Sequence, residues 1–586
     1  MTIRYELLKM WNCLFGIIDM SISLKITNKK YIIDRYYSIL TEKLKNNIYH
    51  FLLPICLLFL SKFNEKYYLQ PHTGTLLPLY FIKVVLFIFG FWLSIKVTHF
   101  FWEIKRIKEE YGKIVLDERQ KSFISIMLWF LVWYGFWLAV YYPGSYTPDT
   151  IDAVRQISYQ EINNWFSFLH PLTYLFLYQF YPNLVVIGIA QVFLCSLIFA
   201  DIISYFYSKF YFNKKLKIIL FSFFIIFFSS ITSIIYNSFF YMRDIPFSVI
   251  DLYFAFYIYK ICIDNGKSPL TQYQTIAILG IGVLLALYRG EGWVILLVAL
   301  IGLLAYGKLN LKLFSQLLVF SFVSLFTLNI LLPSLLKFHF SNEDEYKLTL
   351  VAYPLGFILR EGENYTSSNH EEDKQILSKI IDVEGIQKYT DCYSILFFQH
   401  EGQFWNRKAS KKDWQQFFNR TLKIFKENPN LFLAARTASF ISQLSTYDQW
   451  VEKDIDGARY DLTANACIKT GDQDKWCTGV IFNILKIFPR CSSNDGVCGY
   501  FPLMILEKFN FNWHWNSVFS LLAATLVLLL YKYLPVSAIA SSIILSRIPI
   551  LFLTAPCAFF RYIYSLYLFG LFISFFVVLE LIKKRI

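Results

Sequence analysis

The 586-residue chain is 56% hydrophobic and 20% aromatic, with a mean hydropathy of +0.44, and its apolar residues fall in long runs instead of short periodic stripes. That composition excludes an ordinary soluble domain and reads as a polytopic membrane protein. The formal charge of +14 is no argument for a nucleic-acid partner, because in a membrane protein Lys and Arg first report orientation.

In chain order, residues 1–47 form a basic segment with no cleavable signal, expected to stay in the cytosol. Apolar runs long enough to span, or nearly so, follow at about 48–62, 76–100, 122–142, 184–205, 216–236, 245–263, 273–289, 291–307, 313–336, 514–533, 536–554 and 562–582, which makes about twelve spans. The fold class expected is therefore all-α, a transmembrane domain over 48–336 and C-terminal transmembrane helices over 513–586. With a cytosolic N-terminus, the segments 101–121, 206–215, 264–272, 308–312 and the Lys583-Lys584-Arg585 tail all fall inside, and all but 264–272, where Asp264 offsets Lys267, carry net positive charge. The residues between Lys337 and Asn512 fall outside and hold 20 Lys and Arg against 23 Asp and Glu, a net of −3, so the rest carries +17. That asymmetry matches the positive-inside rule.

The first sizeable outer loop holds Tyr141-Tyr142-Pro143-Gly144-Ser145-Tyr146-Thr147-Pro148-Asp149-Thr150-Ile151-Asp152. Pro143-Gly144 ends the preceding helix, and Thr147-Pro148 is a good cap and first-turn pair. Asp149 then lies in the first turn of a new helix, where the dipole favours an anion, with Asp152 one turn on. An acidic helix start that needs no chemistry explains this stretch as well. Between Trp165 and Pro182 the chain is too aromatic for a free loop and reads as an interfacial or re-entrant helix. The same topology puts His170, Asn237, Arg243, Asp244, Arg289, Glu291 and Arg561 on the outer side. Ionisable groups at that depth are costly enough to be functional candidates. Arg547 lies inside an apparent span and needs either a cavity or a carboxylate such as Asp251.

The outer segment 337–512 reads as a mostly helical domain with helices near 371–390, 411–427 and 430–446. Cys467, Cys477, Cys491 and Cys498 lack a close Cys-x-x-Cys pair and suit disulfides in an oxidising compartment better than zinc. The membrane cysteines Cys56, Cys195, Cys262 and Cys557 read as packing residues.

Several outer stretches resemble the GT-C superfamily, integral-membrane glycosyltransferases that use polyprenyl-phosphate-linked sugars. These are Tyr142-Pro143-Gly144-Ser145-Tyr146-Thr147-Pro148-Asp149-Thr150 followed by His170-Pro171-Leu172, then Arg243-Asp244-Ile245-Pro246-Phe247, Tyr288-Arg289-Gly290-Glu291-Gly292 and Phe559-Phe560-Arg561-Tyr562. Their order and common sidedness resemble bacterial members across about residues 120–582. The resemblance implies transfer of a sugar from the lipid donor to a glycan, lipid or protein acceptor outside a bacterial plasma or inner membrane. It makes Asp149 the general base, with Asp152 as its alternate. It gives Arg243, Arg289 and Arg561, with His170, to the lipid phosphate. Arginine suits that task because its planar fork pairs two phosphate oxygens and stays protonated. Asp244 and Glu291 raise the question of a divalent cation, but each adjoins an arginine and no Asp-x-Asp cluster is present, so neither a metal nor a cofactor is expected. The rival readings are a transporter of about twelve spans, against which stands the absence of an internal repeat, and a non-enzymatic or flippase-type membrane protein.

Overall fold

The computed structural model describes residues 54–55, 57–58, 81–92, 95, 117–142, 144, 150, 153, 161–163, 167–181, 183–210, 212–336, 338–341, 343–389, 405–406, 409–444, 516–555 and 560–585. The N-terminal segment 1–47, the cysteine window 467–498, and Asp149 and Asp152 lie outside the described residues.

The described residues are helical almost throughout. Its elements are α1 (Phe81–Trp92), α2 (Glu118–Val140), β1 (Glu161–Asn163), α3 (Leu169–Tyr178), α4 (Val185–Lys209), α5 (Lys214–Ser230), α6 (Thr232–Phe239), α7 (Asp244–Asn265), α8 (Gln272–Tyr288), α9 (Gly292–Ala305) and α10 (Leu311–Leu335). They continue with β2 (His339–Ser341), α11 (Glu343–Leu359), α12 (His370–Leu377), α13 (Val383–Tyr389), α14 (Lys411–Glu427), α15 (Pro429–Leu444), α16 (Val518–Leu529), α17 (Pro535–Leu545), α18 (Ile548–Thr554) and α19 (Tyr564–Arg585). The two strands pair in parallel, Glu161 opposite His339 and Asn163 opposite Ser341, and so tie the first long loop to the chain leaving α10.

Six of these helical segments are long and apolar enough to cross a membrane, namely α2, α4, α7, α10, α17 with α18, and α19 with the turn before it. Counting α5 with α6 makes seven, although that pair is bent by 63° at Ile231. The chain is a membrane protein by this measure. The count differs from the twelve expected because 273–289, 291–307 and 514–533 yield helices of only 17, 14 and 12 residues. Residues 76–100 yield α1 within their span, and most of 48–62 lies outside the described residues. The aromatic stretch before Pro182 forms α3, whose 10 residues are too short to cross.

Helix starts follow local chemistry. Asp117 and Gln120 make a reciprocal capping box on α2, Thr271 and Gln274 another on α8, and Asn310 caps α10. Gly266 and Gly307, at φ 51° and 85°, end α7 and α9 where a side chain would be strained. Packing decides which spans lie inside. The most apolar stretch of α7 is 72% buried and that of α10 only 17%, so α7 is the central helix and α10 a peripheral one. Around α7 the core is aromatic: Phe206, Phe256, Tyr259 and Phe576 meet ring to ring, and the Tyr259 hydroxyl donates to the Phe576 carbonyl at 2.6 Å.

A second core forms outside the bundle from Leu348, Leu355, Ile358, Leu377, Ile380, Trp414, Phe417 and Ile424. The expected helices near 371–390, 411–427 and 430–446 are α12 with α13, α14 and α15. Buried Asp373 is the polar centre, accepting from Tyr365 at 2.9 Å, from Ser367 at 2.6 Å and from Arg420. Arg436 on α15 joins the two parts, donating to the Ala555 carbonyl at 3.0 Å and to the carbonyl of Leu350.

Candidate functional site

The loops at one end of the bundle are cross-bonded. The Thr150 hydroxyl donates to the Tyr241 carbonyl at 2.5 Å, the Ser167 hydroxyl to the Tyr288 carbonyl at 2.7 Å, and the Tyr288 hydroxyl to Thr173 at 3.1 Å. The loop before α3 is thereby fixed to the loop before α7 and to the end of α8. Gly144 is required here on two counts. Its φ is 109°, and a Cβ there would collide with the Tyr241 ring and hydroxyl.

These bonds hold a set of charged side chains from four separate chain segments. Asp244 opens α7, Arg289 ends α8 in extended backbone, and Glu291 precedes α9. Arg547 lies between α17 and α18, and Arg561 in the turn before α19. Arg289 pairs with Asp244 and, at 2.9 Å, with Glu291; Arg561 reaches the other Asp244 oxygen at 3.3 Å. Arg547 reaches Glu291 at 3.3 Å and Asp251 at 3.8 Å, and donates to Ser565 at 3.0 Å. None of these paired side chains is more than 15% exposed. The Phe247 ring lies under both Arg547, at 4.5 Å, and Arg289, at 5.8 Å, while Tyr562 carries Arg289 at 5.3 Å and Arg561 at 5.5 Å. The tight turn from α8 to α9 needs Gly292, where a Cβ would strike the Leu285 carbonyl.

The electrostatics follow from burial. Desolvation alone would raise the Glu291 carboxyl, but Arg289 and Arg547 outweigh it and hold it at about 2. Burial lowers Arg243 to about 10, and the like charge of Arg289 acts in the same direction. Arg243, Arg289, Arg547 and Arg561 thus gather with Asp244, Asp251 and Glu291 at this end. Buried guanidinium groups held in fixed directions are the donor type that an anionic ligand group pairs with.

His170 takes a different place. It is 2% exposed, with its ring 4.4 Å from Tyr174 and 6.3 Å from Tyr288, and burial, with Arg243, pushes its imidazole well below the usual value. A neutral ring in that position braces α3 and offers no charge to a phosphate. Of the other site residues expected from sequence, Arg243, Asp244, Arg289, Glu291 and Arg561 are brought to this end, while Asp149 and Asp152 lie outside the described residues. Asp244 and Glu291 are each taken by two arginines. Arg547 belongs to the same cluster, and the pairing with Asp251 anticipated for it is present; what the sequence left unsaid is that Glu291 is its closer partner. The rings of Phe247 and Tyr562 and the anchoring carbonyl of Tyr241 were not anticipated, since aromatic residues are everywhere in this chain. The chain matches no family model, no curated protein and no solved structure.

Proposed function

We propose that the protein is a glycosyltransferase of the GT-C kind that moves a sugar from a polyprenyl-phosphate donor to an extracytoplasmic glycan, lipid or protein acceptor. The observation that carries this reading is the buried gathering of Arg243, Arg289 and Arg561 with Asp244 and Glu291 at one end of the bundle. In the proposed step the acceptor oxygen bonds to the anomeric carbon and gives its proton to the Asp149 carboxylate, while the bond from that carbon to the phosphate oxygen breaks. The electron pair leaves with the phosphate, whose charge rises toward a monoester dianion. Arg243, Arg289 and Arg561 are assigned to that charge, Asp244 and Glu291 to holding the guanidinium groups in place. Asp149 adjoins Thr150, whose hydroxyl is bonded to the residue two before Arg243, and this adjacency supports its assignment. In the same proposal the second core lies outside the cytosol, the short helices α1, α8, α9 and α16 complete about twelve crossings, and both termini face a bacterial cytosol, as the charge asymmetry of the sequence indicates.

A transporter reading draws on the broken helix at Ile231, since discontinuous spans often line substrate paths. Here the Gln191 amide already donates to the Asn237 carbonyl at 2.6 Å and to that of Phe240 at 2.9 Å, which occupies groups a substrate would use. Mass analysis of surface glycans from cells with and without the gene tests the main reading. Loss of one sugar from one class of glycan, with accumulation of its polyprenyl-phosphate donor, is expected. Identical glycans and donor pools would overturn it.

A further inference from the structure

We propose that the opposite end of the bundle binds the phosphate of an anionic phospholipid headgroup at Lys260. That end gathers the start of α2, the ends of α4 and α7, and the start of α5. Three of its cations are matched: Arg119 with Asp201 at 2.6 Å, Lys209 with Asp264 at 2.8 Å and Lys217 with Glu118 at 3.1 Å. Lys260 has no ion pair or hydrogen bond among the described residues. Asp201 and Asp264, the carboxylates that act on it, are committed to Arg119 and Lys209, and the Tyr205 hydroxyl also donates to Asp264 at 3.1 Å.

Three cations surround one ring. The Arg119 guanidinium and the Lys209 ammonium each lie 5.5 Å from the Tyr205 centroid, and the Lys260 ammonium lies 5.7 Å from it. Arg119 and Lys209 are about one-third exposed, so the face is open to an incoming group. Depth agrees. Lys260 follows Asp244, at the far end of α7, by 16 residues, about 24 Å along the axis at 1.5 Å per residue. A hydrocarbon core of about 30 Å that begins near Asp244 therefore ends within a lysine side chain's reach of the Lys260 backbone, which places the ammonium among the headgroup phosphates. A free phosphate offers the same chemistry; the lipid is favoured because only the lipid is held at that depth.

The test uses the full chain in phosphatidylcholine nanodiscs with and without added phosphatidylglycerol, read by native mass spectrometry of retained lipid and by thermal midpoint. The wild type retains phosphatidylglycerol in preference to phosphatidylcholine. Lys260→Met lowers that affinity about five-fold, the size of one lysine's attraction to an anionic bilayer, and Lys260→Arg keeps it. Lys267→Gln, on an exposed loop, leaves it unchanged. The midpoint in pure phosphatidylcholine reports whether a variant folds, and Lys260→Gln replaces the methionine variant if that one does not. The proposal falls if Lys260→Met retains the lipid like the wild type, if Lys267→Gln loses it equally, if the wild type shows no preference, or if inorganic phosphate in pure phosphatidylcholine reproduces the midpoint shift.

Discussion

At one end of the bundle, Arg119–Asp201, Lys209–Asp264 and Lys217–Glu118 are separate pairs, each with at least one member 28% or more exposed. At the other, Arg289, Arg547 and Arg561 share Asp244, Asp251 and Glu291 in one connected set in which nothing exceeds 15% exposure. The two arrangements differ in energetics. Separate pairs near water contribute little and cost little, whereas a buried network carries a desolvation cost that its Coulomb energy only partly offsets. A network of that kind is retained where fixed charge has work to do on a ligand, because donors already oriented need not reorganise when charge develops. This difference agrees with giving the proposed chemistry to the arginine-rich end.

The largest expected effect separates the ends by activity. Asp149→Asn should lower sugar transfer by about a hundred- to ten-thousand-fold, the usual loss when a general base is removed, with little change in stability. Glu118→Gln, which removes a carboxylate from the opposite end, should leave turnover unchanged. The measurement is transfer of labelled sugar from the lipid donor by purified protein in nanodiscs. Equal loss in both variants, or none in either, would break the assignment of function to one end.

Next is the stability of the buried network. Arg547→Met leaves the Asp251 carboxylate, itself 0% exposed, without its arginine and should destabilise the protein by about 3–5 kcal/mol. Adding Asp251→Leu should recover part of that loss, because the uncompensated carboxyl has gone. Denaturation midpoints of the two single variants and the double variant give the coupling. A double variant as unstable as the sum of the singles would show that the pair is not a unit.

The pH dependence should differ too. Glu291 is held at about 2, below its ordinary 4.5. A depressed carboxylate contributes stability that is complete above its unfolded value and lost as pH falls through the folded one. Stability from this group should be flat from pH 8 to about 5 and fall between about 4.5 and 2. Glu291→Gln should flatten that fall in a thermal midpoint series and lower the plateau above about pH 5, where the carboxylate's contribution is otherwise complete.

Much of this arrangement was legible in the sequence, and what was not has physical reasons. Hydrophobic run length located α2, α4, α7, α10 and α19 to within a few residues, because in lipid only a helix satisfies its own backbone. That Arg243, Asp244, Arg289, Glu291 and Arg561 share one end followed from the order of runs and loops, and an arginine stranded in an apolar run announced its need for Asp251. The bend at Ile231 was hidden, with no Pro or Gly there and only the hydroxyl run Ser229-Ser230 and Thr232 as a signal. Also hidden was the meeting of Arg289 with Tyr562 and of Arg436 with Ala555, contacts across long sequence separations that no local pattern encodes. Lys260 shows the same limit from the other direction. Its lack of a carboxylate is visible only once Asp201 and Asp264 are seen to be taken.

The smallest effect is expected at Arg119, and its smallness is informative. Arg119 is 34% exposed and meets Asp201, 15% exposed, at 2.6 Å, a good geometry in a place water can reach. Screening and side-chain entropy reduce such pairs to about 0.2–1 kcal/mol. Arg119→Gln should therefore shift a denaturation midpoint slightly, and the shift should shrink as salt is raised, since the pair's attraction is already screened. The Arg547→Met loss, set in a dry network, should hold nearly constant over the same salt series. If both variants responded to salt alike, the two ends would share one dielectric environment, and burial would no longer be a reason to give the proposed chemistry to one of them.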